Sequence, residues 1–204
     1  MLSSIQKDLL TEILNVNIGK AASSLSEMAN QKIILNVPTV DLQNGTEIDV
    51  LVFNNKTADF RNSIMSTIRF GKNFTGNAYI IIPHDDAKEL IGACAGAKPD
   101  DDGLDNDDLD VIREISNVIL NTLIGEFGNL LDVKLEFSFP DVEFAIVNTV
   151  ENSDLSEDMH FLTMFTSFLL SESKAKGMIF VALSTDSETM LIDKINEMLV
   201  EINE

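Results

Sequence analysis

Cysteine occurs once in these 204 residues, tryptophan not at all, tyrosine once and histidine twice. The lone thiol, Cys94, excludes an internal disulfide and fits a reducing compartment. Cations are scarce as well: 14 Lys and Arg stand against 34 Asp and Glu, for a net charge of −20. That balance excludes binding along a nucleic-acid backbone, which needs clustered Lys and Arg, and docking on an anionic membrane surface. A polar or basic protein partner remains compatible with it. No run of residues approaches the roughly 20 apolar positions of a membrane span. The opening MLSSIQKDLLTEIL has no basic segment followed by a continuous apolar stretch, so it does not read as a secretion signal. The sequons at Asn44, Asn55 and Asn73 are then chance matches. Together these absences point to a cytoplasmic protein with no membrane insertion and no nucleic-acid partner.

Several familiar chemistries are missing too. There is no phosphate-binding P-loop and no G-x-G-x-x-G after a strand, and no G-x-S-x-G elbow. His84 and His160 are not spaced as metal ligands, so no metal of the chain's own is expected. His84, beside Pro83, reads as part of a helix start. Cys94 lies in an Ala/Gly-rich helix and reads as a buried thiol. The eight Met residues are scattered like core filler. The acidic run KPDDDGLDNDDLD raises the question of a calcium loop. With Gly103 in the invariant glycine position, the first ligand falls on Lys98 and the bidentate acid on Leu109, and both fail the EF-hand pattern. The run reads instead as a solvated linker and helix cap.

What the sequence does have is a doubled motif. Asp8, Glu12 and Asn15 form D-x-x-x-E-x-x-N, and Asp110, Glu114 and Asn117 repeat it, each 102 positions after its counterpart. A repeat of about half the chain's length indicates a duplicated unit. Residues three and four apart share one helix face. At roughly 100° per residue, Asp8, Glu12, Asn15 and Gly19 fall in a stripe about 60° wide. Leu10, Ile13, Leu14, Ile18, Ala21, Leu25 and Met28 gather on the other side. In the second copy Asp110, Glu114, Asn117 and Asn121 make the row, and Ile112, Ile115, Val118, Ile119 and Leu123 are available for a core. Each helix is therefore amphipathic, with an acid–amide row pointing away from its buried face. A solvated face needs only to be polar; it does not need the same three residue types at the same spacing twice.

The rest of the chain follows the repeat. A helix is expected over 4–30, interrupted only by Gly19. Strand character covers 32–42, where Pro38 argues for an edge or a bend. A turn is expected at 43–46, a half-buried strand at 47–53 and a loop at 54–62. Strands at 63–70 and 75–83 form a hairpin, and a helix follows to about Gly96. After the acidic linker the second half expects a helix over 109–131, strands at 133–139 and 142–150, and a loop at 151–158. A hairpin of 159–170 with 176–183 comes next, then a helix capped by Ser184-Thr185-Asp186. Gly76 and Gly177 match at an offset of 101, as do Pro83-His84-Asp85 and Ser184-Thr185-Asp186. Each half reads as helix, four short strands, helix. The fold class is α+β: a single domain of two pseudo-symmetric repeats, about 1–97 and 104–204, forming a largely antiparallel sheet packed with helices.

An acid and an amide on an exposed helix suit one task. A carboxamide accepts and donates hydrogen bonds, so it can hold a water for in-line attack. A Glu can pair with a Lys on a protein substrate and fix the register. Neither is a strong nucleophile, so the substrate must be primed already, as an acyl phosphate with bound Mg²⁺ is.

In its doubled D-x-x-x-E-x-x-N helix, with Asn15-Val16-Asn17-Ile18-Gly19-Lys20-Ala21-Ala22 following the first copy, the chain resembles the CheC/CheX/FliY family of chemotaxis phosphatases. The Phe70-Gly71…Thr75-Gly76 hairpin and the helix after Pro83 extend the likeness. In the run after the first Glu, Gly19 is kept while Leu14, Asn17 and Lys20 depart from the family's glycine-rich pattern. The resemblance implies hydrolysis of the aspartyl phosphate of a CheY-type receiver. Asn15 and Asn117 would orient the water, Glu12 and Glu114 would contact the receiver's Lys, and Asp8 and Asp110 would assist docking. It implies no cofactor in the chain itself, Mg²⁺ being held by the receiver. The alternative it leaves open is an adaptor that binds a receiver or a CheD-type deamidase with little hydrolysis. A flagellar switch component of the FliM or FliY kind would carry a further C-terminal rotor-binding domain, which is not expected here after the second repeat.

Overall fold

The computed structural model describes residues 2–44, 62–99, 103–146, 160–170 and 174–202. The strand expected at 47–53, most of the loop after it, and the loop at 151–158 lie outside these residues. So do Gly45-Thr46 and Asp100–Asp102.

Helix α1 (Ser4–Met28) opens the chain, followed by β1 (Ile34–Asn44), β2 (Asn62–Lys72), β3 (Gly76–Pro83) and α2 (His84–Ala95). Then come α3 (Asn106–Leu131), β4 (Leu135–Phe137), β5 (Asp141–Ile146), β6 (His160–Leu169), β7 (Lys174–Leu183) and α4 (Thr185–Ile202). Both motif helices start on a capping box, which supplies partners for otherwise unpaired backbone N–H groups. Ser3 N–H donates to Gln6 Oε1 at 2.7 Å and Gln6 N–H donates to Ser3 Oγ at 3.4 Å. Asp105 N–H donates to Asp108 Oδ2 at 3.0 Å and Asp108 N–H donates to Asp105 Oδ1 at 2.9 Å. The two boxes again lie 102 positions apart. Helix α3 therefore begins at Asn106 rather than at 109. Apolar periodicity marks the first core contact, whereas the cap, hidden in the acidic run, sets the first hydrogen bond. At the other end of the chain Ser184 Oγ accepts from Ser187 N–H at 3.3 Å, capping α4 as expected.

The strands make one antiparallel sheet in the order β1-β6-β7-β3-β2-β4, with β5 also pairing β2. The arrangement interleaves the halves. Strand β1 of the first half extends the β6–β7 hairpin of the second, while β4 and β5 extend the β2–β3 hairpin of the first. Strands β3 and β7 join the hairpins at the centre, Gly76 opposite Leu183 and Ile81 opposite Met178. Here Gly76 and Gly177 play the same part. A Cβ on Gly76 would overlap the Ala182 carbonyl oxygen, and one on Gly177 would press on the Ile81 oxygen at 3.3 Å. Residues 81 and 182, like 76 and 177, are 101 apart. The prolines also match. The register of β1 shifts between Asn36 and Thr39, around Pro38, and Pro140 separates β4 from β5. Proline cannot donate to a ladder, so it sits at interruptions on the two outer strands. That interruption reduces the strand expected at 133–139 to three residues.

Along β3, side chains alternate: Ala78, Ile80 and Ile82 join the main core, while Ile81 and Tyr79 face a smaller cluster with Phe161, Met178, Phe180 and Ala182. The four helices among the described residues all contribute to the main core, with Leu90 and Ile91 from α2 and Leu191 and Ile195 from α4. The division at 1–97 and 104–204 thus follows the repeat in the sequence, whereas sheet and main core run across both parts.

Candidate active site

The acid–amide rows sit on α1 and α3 because the opposite sides of these helices are consumed by the core. On α1, Leu10, Leu14, Ile18, Ala21 and Leu25 are buried. On α3, Ile112, Ile115, Ile119 and Leu123 are buried at the expected places, with Val118 half-buried. Each fully buried Leu or Ile contributes about 1.5–3 kcal/mol, which fixes the rotation of both helices and hence the direction of the rows. Helix α3 buries more of its circumference, adding Leu120, Ile124 and Phe127. It touches α1, α2 and α4 as well as the sheet.

The two rows come out alike. Asp8 and Asp110 are exposed, Glu12 and Glu114 are exposed, and Asn15 and Asn117 are half-buried. Glu12 and Glu114 make no hydrogen bond or ion pair among the described residues, so their carboxylates are available to a partner. The helices meet beyond the motifs, where Lys20 Nζ reaches Glu126 Oε1 at 2.6 Å.

The rows differ in their neighbours, which the repeat did not reveal. Asp110 is ion-paired with Arg113, one turn on, where the first copy has Thr11. In the first copy Lys7, the residue before Asp8, pairs instead with Asp41 of β1 at 2.7 Å. Asn121 Nδ2 donates to Asn117 Oδ1 at 2.6 Å, where the first copy has Gly19. The spacing i, i+4 made that contact possible, and the side-chain rotamers made it real.

Other titratable groups are occupied elsewhere. His84 opens α2, and His160 Nδ1 lies 3.0 Å from Glu188 Oε2. Burial pushes the Cys94 thiol up to about 11, in keeping with a packed rather than a nucleophilic sulfur. No helix among the described residues is long and apolar enough to cross a membrane.

Chemically, each row offers a free carboxylate and, one turn on, a carboxamide held at the helix surface. Such a pair can contact a cation and orient a water on a surface brought to the helix. A family model described as the CheC-like family matches residues 5–41, which contain the first copy. The chain is 26% identical over 156 residues to the CheY-P phosphatase CheC of Bacillus subtilis, covering 74% of this chain and 72% of that protein. It is 23% identical over 163 residues to the flagellar motor switch phosphatase FliY of the same organism. There the match covers 79% of this chain but 41% of FliY, so the chain spans less than half of that relative. The crystal structure of Thermotoga maritima FliY superposes with a TM-score of 0.77 at 16% identity, covering 97% of this chain and 98% of that one. The fold, a mixed helix and strand arrangement around an antiparallel sheet, is shared.

Proposed function

We propose that this chain, a member of the CheC/CheX/FliY family, is a phosphatase acting on the aspartyl phosphate of a CheY-type receiver domain. The observation that carries the reading is the doubled row: two exposed Glu and two half-buried Asn at matching places on two helices whose other sides are locked in the core. The names of the relatives, a CheY-P phosphatase and a motor switch phosphatase, support the same class of activity.

In this reading α1 or α3 docks against the receiver's phosphorylated face. Glu12 or Glu114 pairs with the receiver's Lys, which fixes the register. Asp8 and Asp110 assist docking at the motif's first position. Asn15 or Asn117 holds a water in line with the phosphorus. The water oxygen bonds to phosphorus as the bond to the receiver's aspartyl oxygen breaks. The aspartate leaves as a carboxylate, and the water's protons pass to the phosphate and the solvent. The Mg²⁺ held by the receiver supplies charge stabilisation for the transferring group.

The test is phosphate release from a Mg²⁺-loaded, phosphorylated CheY-type receiver, comparing wild type with Asn15→Ala, Asn117→Ala and the double substitution. Acceleration that vanishes in the double substitution supports the reading, and the single substitutions apportion activity between the rows. Glu114→Lys should weaken docking more than turnover. Binding without acceleration would favour the adaptor reading, with a receiver or a CheD-type protein as partner. Neither binding nor acceleration would refute both.

A further inference from the structure

We infer that Asn121 is a positioning residue that holds the Asn117 carboxamide in its working orientation. The inference rests on the phosphatase reading above. Asn121 lies one turn beyond Asn117 and donates through Nδ2 to Asn117 Oδ1 at 2.6 Å. A carbonyl oxygen has two lone pairs, so Asn117 Oδ1 can accept from Asn121 and from a water proton together. The hydrogen bond leaves the Asn117 amide with one preferred rotation about its last bond. That restricts where a water on Asn117 can stand relative to an incoming phosphorus atom.

A second observation says the arrangement is not there for stability. Asn121 Oδ1 is buried and has no hydrogen-bond partner. An orphaned buried carbonyl works against folding, and an apolar residue would avoid it. The Asn121 amide therefore gives up on one side what it supplies to Asn117 on the other. In the first row the matching position is Gly19, so this particular side-chain contact has no counterpart there.

The experiment measures kcat and KM for phosphate release from a Mg²⁺-loaded, phosphorylated CheY-type receiver, with thermal unfolding alongside. The full-length chain carries Asn15→Ala throughout, so that only the second row acts. Adding Asn121→Ala, or Asn121→Leu, which keeps the approximate shape and loses the donor, is expected to lower kcat by about tenfold or more. KM should stay within about twofold and Tm should be unchanged or higher, because the orphaned carbonyl is removed. Turnover equal to that of Asn15→Ala alone would overturn the inference while leaving the phosphatase reading intact. So would a fall in kcat matched by a rise in KM or a drop in Tm, which is what a merely structural role predicts. If wild type accelerates release from no receiver, the phosphatase reading and this inference fall together.

Discussion

One added methyl group at Gly76 should cost the protein far more stability than the same group at Gly177, and at Gly19 it should cost none. At Gly76 the new Cβ would overlap the Ala182 carbonyl oxygen and lie 2.7 Å from Phe70 Cζ. The obstacle is backbone in the middle of the sheet, at the β3–β7 seam where the two hairpins join, so it cannot swing aside. Overpacking a core typically costs about 1–3 kcal/mol, and a backbone obstacle puts Gly76→Ala at the upper end. For a chain of this size each kcal/mol shifts Tm by about 2–4 °C, so a fall of about 6 °C or more is expected. At Gly177 the contacts are looser, 3.2 Å to Phe168 Cε2 and 3.3 Å to Ile81 O. Gly177→Ala should cost less than about 1 kcal/mol, because a ring edge can give. At Gly19, exposed and inside α1, nothing lies within 4 Å. Gly19→Ala should stabilise by about 0.5–1 kcal/mol through the lower backbone entropy of the unfolded chain. Thermal and urea unfolding followed by far-UV circular dichroism give the three values directly. Gly76→Ala within about 0.5 kcal/mol of wild type, or no worse than Gly177→Ala, would refute the close approach at the seam, since surface-like substitutions stay in that range.

Two further predictions come from shifted acids and thiols. Asp86 accepts the Lys176 N–H at 3.0 Å, yet burial, the largest influence on it, raises its carboxyl above the ordinary carboxylate value. A raised value in the folded state means that Asp86 favours folding at pH below the ordinary value, and that this contribution is lost as pH rises through the raised one. Asp86→Asn keeps an acceptor for Lys176 and should stabilise at pH 7 by no more than about 1 kcal/mol, because the group is half-exposed and screened. Unfolding at stepped pH should show that gain closing as pH falls through the carboxylate range, and a gain that widens instead would show the sign to be wrong. For Cys94, with its thiol pushed up to about 11, alkylation at pH 8 should run about tenfold or more slower than in the denatured chain and quicken as pH climbs. Equal rates in native and denatured protein would mean that the thiol is open to solvent.

Much of the geometry of the candidate site was legible from the chain because a helix converts spacing into direction. Asp8, Glu12 and Asn15 at i, i+4 and i+7 must share a face, and Leu10, Leu14 and Ile18 fix which way that face points. The same rule yielded Asp110, Glu114 and Asn117. The repeat also related the two hairpins, since Gly76 and Gly177 recur at nearly the offset of the motifs. Boundaries were less legible: α3 starts three residues before its apolar pattern, because a cap is set by a hydrogen bond between Asp105 and Asp108 that periodicity does not register.

The helices, their outward rows and the hairpins could be read from the chain because they are local or periodic properties. That β1 leaves its own half to lie on β6, while β4 and β5 cross to β2, emerges from long-range packing, because strand partners far apart in sequence are chosen by burial of whole faces and not by neighbouring residues. The same packing makes the rows unequal. Arg113 turns to Asp110 and Asn121 to Asn117 by choice of rotamer, and a rotamer is set by what packs around it once the helix has docked.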